Sequence, residues 1–391
     1  MNRSALLLLS LGLCACSGGE RTIADYEGEP AYPSQRGSYR ADGRLLGFVA
    51  NRMSDSISVV DLDSMTLLGS EPIGRDPVDV DGPRHVLLDA GRRIGYVALS
   101  YPLAVQSVHV AVETGVVVKS GYVQAFSLDD LRPLGEQRVE ASPSELALSS
   151  DGALLAVSHY DTLRSIANKD LDKRRASLAL IDPADGVTGS GATTRLVPLC
   201  VVPASVVLSA DKTRAFVACT GEDSLAVVDT VAGGVLGSVK AGDLAVNKPY
   251  AMVADPTGTR LAVSNQVAGT VVLFSATDAP ALLSTTRVNL GVPYFVGWLS
   301  NDMLAAPIQE PSSVALIDAA TGTLTKEVAY ADSDCLNPSE IQRTASGRVF
   351  MVCEGNHFAP GAIVELDPLS LAVTARVEVE LWPDRLAILE P

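Results

Sequence analysis

The sequence predicts an all-β fold: a seven-bladed β-propeller closed by a C-terminal strand that completes the first blade. Three observations predict it. A line of strand, turn and second strand, ending in Ser-Val-x-Val-x-Asp or a variant, recurs seven times. A proline stands a fixed way before each strand that leads into those lines, at Pro83, Pro143, Pro203, Pro249, Pro293, Pro338 and Pro383, with spacings of 60, 60, 46, 44, 45 and 45 residues. Each unit of about 45 residues holds four short β-branched-rich runs between Gly, Asp or Ser turns, which is the content of one blade. A blade buries both faces against its neighbours. High Val, Leu and Ala without clean alternation, and only 5% aromatic residues, fit that.

The N-terminus reads "MNRSALLLLSLGLCACSGGE". Arg3 is followed by an apolar run, Ala5 to Leu13, too short to span a bilayer and of the right size for a signal sequence. Leu13-Cys14-Ala15-Cys16 resembles a bacterial lipobox, with small Ala15 before the cut and Cys16 as the lipidated residue. Residues 1–15 are then a lipoprotein signal peptide; an ordinary signal peptide cut elsewhere is the alternative. Ser17 resembles the outer-membrane sorting pattern, which implies an outer-membrane lipoprotein facing the periplasm or the cell surface. Residues 16–43 are polar and rich in Gly and Pro, and are expected to form a lipidated, flexible linker. The propeller then occupies 44–391. No later run suggests a further membrane segment.

Blade 1 begins at "LLGFVAN", a second strand with no first strand before it. The chain ends on "DRLAILEP", a first strand with no second strand after it. Pairing the two closes the ring and buries edges that would otherwise recruit other chains. The Asp that follows each third strand (Asp61, Asp182, Asp229, Asp318, Asp367) suits a turn in which the carboxylate bonds its own backbone, rather than catalysis. The two longer units carry their extra residues between the second and third strands, at about Tyr101–Ser120 in blade 2 and His159–Ala176 in blade 3. The second insertion, "TLRSIANKDLDKRR", is expected to form a short helix with Leu163, Ile166 and Leu171 on one side. Gly186–Gly191 reads as a turn.

Apart from the lipobox, four cysteines remain. Cys200 and Cys335 each lie three residues before a blade proline, and Cys219 and Cys353 each end a second strand. First and second strands are antiparallel neighbours, so the spacing suits Cys200–Cys219 within blade 4 and Cys335–Cys353 within blade 7. Four cysteines allow three pairings, and free thiols or a metal site are the competing readings.

A net charge of −16 disfavours nucleic acid and anionic lipid surfaces and suits a soluble monomer. The sequence has no GxSxG, HExxH or P-loop, and no CxxCH for covalent haem. No catalytic residue, cofactor or metal is expected.

"GFVANRMSDSISVVDLD" and "AFVACTGEDSLAVVDTV" resemble the repeat of the YVTN-repeat, or YncE-like, bacterial β-propellers. The resemblance covers nearly all of 44–391 and departs in the cysteine pairs and the insertions. It implies the fold more than an activity. Some such propellers occur with c-type haem or redox enzymes, so a redox partner is one implication. Seven-bladed lactonases have similar repeats, so a lactonase-like hydrolase is the alternative to a binding or scaffold module.

The insertions point to one face as the site, because elaborated loops on a rigid scaffold are where binding concentrates. All four histidines map there. The expected site for a protein partner or small polar ligand is the channel mouth, with His85, Tyr101, His109, His159, Tyr160, Glu340, His357 and Arg385. Shared metal or proton chemistry among the histidines is a less economical reading than incidental placement on a wet rim.

Overall fold

The computed structural model describes residues 36–75, 80–100, 120–183 and 192–391. Seven four-stranded antiparallel sheets, with strands β1 to β28 in chain order, form a ring. Strands within a blade are lettered A to D from the channel outward. Six sheets follow chain order. The first is built as β28 (Pro383–Leu389), β1 (Leu46–Asn51), β2 (Ser56–Asp61) and β3 (Thr66–Pro72). β28 pairs antiparallel with β1, Leu389 opposite Leu46 and Arg385 opposite Ala50, so the expected closure is present.

Burial explains why the strands do not alternate. Every residue of β1 and β2 is buried, and none of β3 is. The two faces of a middle strand pack against different blades. Seven hydrophobic clusters result, one per interface. Phe48 packs with Val97 and Tyr122 of blade 2, while its neighbour Val49 packs with Phe350 and Ile363 of blade 7. Each fully buried side chain of this size contributes roughly 1.5–3 kcal/mol.

The Asp turns take the expected form. Asp61 Oδ1 accepts from the N–H groups of Asp63 and Ser64, and Asp229, Asp318 and Asp367 repeat the pattern. The turn after Asp182 lies outside the described residues, as does Gly186–Gly191.

At the other end of the blades, Ser142, Val202, Lys248, Asn337 and Trp382 each stand before a blade proline with φ between 52° and 58°. A β-branched residue such as Val202 rarely adopts that conformation, so the surroundings must hold it. Second-to-third strand turns supply part of the restraint. Asp223 Oδ1 accepts from the N–H groups of Asn247 and Lys248, and Asp55 Oδ1 accepts from that of Gly82. The kink turns the residues after proline into the channel. Blade 6 differs: its A strand starts at Gly297, and Pro293 makes only an isolated bridge with Ile308. Tyr294 donates to Pro307 O, but Pro307 has no N–H to return, so the ladder breaks there.

Three expectations need correction. First, Cys200–Cys219 forms, but it is not confined to blade 4. Cys200 lies in Thr193–Val201, the D strand of blade 3, which leaves only Val202 as a connection. The bond therefore ties blade 3 to blade 4, whereas Cys335–Cys353 joins the blade 7 connection to its B strand. Second, the blade 3 insertion holds two short helices, Thr162–Ala167 and Leu171–Arg174. Asn168 is extended and bonds Arg164 O, and Asp170 caps a fresh start, so Ile166 and Leu171 stay exposed instead of forming one apolar side. Third, the end of the supposed linker is docked. Arg36 Nη1 donates to Pro72 O of blade 1 and Leu131 O of blade 2, and the Tyr39 ring is buried with Phe48 and Leu131. Residues 1–35, including Cys16, lie outside the described residues. Among the described residues no helix is long and apolar enough to cross a membrane.

Candidate functional site at the channel mouth

The two residues after each blade proline meet across the channel in two sets. The first set holds Arg84, Tyr250, Tyr294 and Asp384. Arg84 Nη2 donates to Tyr250 Oη at 2.8 Å, joining blade 2 to blade 5. Tyr250 makes edge contacts with Tyr160, Tyr294 and Phe295 at centroid distances of 5.4, 5.7 and 5.5 Å. Arg84 also lies over the Tyr160 ring at 5.2 Å. Residues that follow B strands complete this level: Arg52, Tyr160 and Glu354. Trp382 has His357 stacked on it at 3.8 Å and Arg52 over its ring at 4.9 Å from the centroid.

One residue further along lies the second set. Arg385 Nη2 lies 3.3 Å from Glu145 Oε1, and its Nη1 lies 3.6 Å from Glu340 Oε1. Its guanidinium stands 3.9 Å over Phe295. Glu340 Oε2 accepts from the Leu386 N–H, and His85 Nδ1 accepts from that of Leu146.

Three guanidiniums (Arg52, Arg84, Arg385) thus share the mouth with four carboxylates (Glu145, Glu340, Glu354, Asp384). Burial raises the carboxyls of Glu145 and Glu340, and Arg385 opposes the rise. Burial also raises Glu354, against the hydrogen bond from His357 at 2.9 Å. Burial, then Arg385 and Arg84, hold the His85 imidazole well below its usual range, so it is neutral at pH 7. Burial, with Tyr250 and Tyr294 nearby, pushes the Tyr160 phenol up to about 12.

The residues singled out in the sequence divide accordingly. His85, Glu340 and Arg385 belong to the second set. Tyr160 lines the first set, and His357 packs against its Trp382. His159 is apart from both: it is fully buried with Nδ1 2.7 Å from Ser177 O. Tyr101 and His109 lie outside the described residues. The three described histidines therefore do not share a site. Among the described residues no group of three or more His, Cys, Asp or Glu side chains is placed to hold a metal ion. Sequence reasoning passed over Arg52, Glu354 and Trp382. Arg52 and Glu354 each follow the end of a B strand, and Trp382 precedes a blade proline, so the repeat itself carried the signal.

No protein-family model and no curated protein matches this chain. Solved structures do. Over 88% of this chain and 99% of the other, it is similar to the periplasmic gluconolactonase PpgL of Pseudomonas aeruginosa (16% identity, TM-score 0.62). It is similar to a proposed 6-phosphogluconolactonase of Bacteroides fragilis over 90% and 99% of the two chains (15% identity, TM-score 0.63). It also matches the dihydro-heme d1 dehydrogenase NirN, solved with DHE, over 92% and 78% (15% identity, TM-score 0.58). At these identities the likeness shows the propeller fold alone.

Proposed function

We propose that the protein is a binding or scaffold module of the cell envelope, a YVTN-like propeller anchored through a lipid on Cys16 on the outer membrane. It presents its channel mouth to a small polar ligand or a protein partner. The observation that carries this reading is the contrast between the two sets. The second set pairs its charges with one another across the channel, Arg385 with Glu145 and Glu340. The first offers partly exposed Tyr160, Tyr250, Tyr294, Trp382 and Arg52, aromatic and charged groups on a scaffold that two disulfides restrain. Preorganised groups lower the ordering cost of binding. A redox protein is one form the partner takes, in keeping with the family resemblance. The acidic net charge favours a cationic partner and disfavours nucleic acid.

A lactonase-like hydrolase is the second reading, favoured by the lactonase names among the fold neighbours and by the raised Glu354 carboxyl beside His357. A ligand screen by thermal shift, run with a lactone and ester turnover assay, tests both. Binding without turnover, lost on Tyr160→Ala and Tyr250→Ala, is the expected result. Turnover that falls far more than binding in the same variants would establish the hydrolase instead. Binding lost only on changes at the Asp turns of the opposite face would show the wrong face was chosen.

A further inference from the structure

We propose that the first set is a site for the carboxylate of a small organic acid, gripped by Arg52 and Arg84. This rests on the reading of the mouth as a binding site and adds the ligand's chemistry.

The argument begins with an imbalance. Arg52 Nη1 and Arg84 Nε approach the same oxygen, Asp384 Oδ2, at 3.8 and 4.0 Å. Both distances exceed hydrogen-bond range. One carboxylate thus faces two guanidiniums and satisfies neither. Arg84 has Tyr250 Oη as an acceptor. Arg52 Nε is buried and has no hydrogen-bond partner among the described residues. By contrast Arg385 is met by Glu145 at 3.3 Å, and Arg348 by Glu365 at 2.7 Å and Asp63 at 2.9 Å, although Arg174 Nε also lacks a partner among the described residues. A guanidinium has five N–H donors, and leaving them unmet away from water is costly. Burial and the neighbouring Arg84 both work against the Arg52 charge. An anion between the two would relieve each of these costs. Arg52 keeps 19% of its side chain exposed, so the approach is open.

Charge fixes the valence. Arg52 and Arg84 face Asp384 and Glu354; burial raises the Glu354 carboxyl, and with that group protonated one positive charge is left, which a monoanion neutralises. A dianion would also meet Asp384 and Glu354. Fork geometry favours a planar carboxylate, which guanidinium binds through two parallel hydrogen bonds. The ligand's body would lie on the tyrosine wall, whose rings offer apolar edges and whose hydroxyls suit polar substituents.

The experiment is titration calorimetry on the whole chain at pH 7 and low salt. The probes are sodium benzoate, sodium lactate, inorganic phosphate and benzyl alcohol. Benzoate or lactate is expected to bind, with affinity falling as salt rises, and benzyl alcohol at least tenfold more weakly. R52Q and R84Q are each expected to weaken the carboxylate tenfold or more. If R52Q does not fold, R52K serves: it keeps the charge, loses the fork, and should give an intermediate loss. Phosphate binding more tightly than both acids would overturn the monoanion assignment. Equal binding of benzyl alcohol, unchanged affinity in folded R52Q and R84Q, or no binding by either acid would each overturn the proposal. Neutral compounds binding at the mouth while acids do not would remove only the ligand class and leave the binding-site reading standing.

Discussion

Arg385 and Glu145 meet at 3.3 Å across the channel although 240 residues separate them in the chain. The same guanidinium reaches Glu340 and covers Phe295, so one side chain on the closing strand links blades 1, 3, 6 and 7. Removing it would leave two carboxylates buried without their cation. Arg385→Met is expected to cost about 3–5 kcal/mol, while Glu145→Gln, which keeps shape and polarity, should cost clearly less. The sign with pH follows from the carboxyls. Their folded pKa values are raised, so the stability linked to them is full below the unfolded value and is lost as pH rises through the folded one. Without Arg385 the rise is larger. The Met variant should therefore fall further below wild type at pH 8 than at pH 5 in urea titrations, and a gap that does not change with pH would refute this account.

The closing strand also buries Leu386 and Leu389 and supplies the inner partner of β1. A chain ending at Trp382 would expose the β1 edge and part of two interblade clusters. We expect severe destabilisation and a tendency to associate through that edge. A melting temperature equal to that of the whole chain, with a monomeric elution profile, would show that closure contributes little.

Why the fold could be read from the sequence and most of the site could not is clear from particular residues. A repeated proline and a repeated turn Asp act locally and leave marks at fixed spacing, so blade number, closure and the Asp turns were predictable. Arg385 and Glu145 were each visible as the second residue after a blade proline. Their pairing was not, because it depends on which blades face each other across the ring and how far each side chain reaches. Arg52 shows the same limit: its position after a B strand is set by the repeat, but its unmet hydrogen bonds exist only in three dimensions. His159 misled for the opposite reason. It ends a B strand beside an insertion, yet its ring turns into the protein and bonds Ser177 O.

The two disulfides have separate tests. Peptide mapping without reductant should recover Cys200–Cys219 and Cys335–Cys353 and no crossed pair. Replacing Cys200 and Cys219 by Ser opens a loop with a sequence separation of 19 and should cost roughly 3 kcal/mol. Because this bond joins two blades, its loss should also speed hydrogen exchange in strand Thr193–Val201. Exchange that stays slow there would mean blade 3 is held without it.

Tyr39 offers a check on where the linker ends. Its ring is buried at the interface of blades 1 and 2, and its hydroxyl donates to Glu71 Oε1 at 2.7 Å. Tyr39→Ala should lower stability by about 3 kcal/mol, in the range of large aromatic truncations. If Tyr39→Ala melts like wild type, residues 36–43 do not clamp the first two blades.

His159 gives the clearest pH signature. The side chain is fully buried, Nδ1–H donates to Ser177 O, and Nε2 has no partner among the described residues. Burial lowers its pKa to about 4, against a smaller upward pull from Ser177 O and Glu140, with Arg164 also lowering it. The folded value lies below the unfolded one, near 6.5, so the unfolded chain takes up its proton first. Stability linked to this group is present above about pH 6.5 and is lost as pH falls towards 4, by on the order of 3 kcal/mol. Glu145, Glu340 and Glu354 titrate with the opposite trend, so the wild-type curve alone is not diagnostic. The difference from His159→Asn is, because the amide nitrogen of Asn can keep the bond to Ser177 O without titrating. The variant should be less stable than wild type at pH 7.5, through lost packing, and the gap should narrow as pH falls from 6.5 to 4. A gap that stays constant over that range would mean that His159 is protonated in the folded protein, or that its pocket admits water.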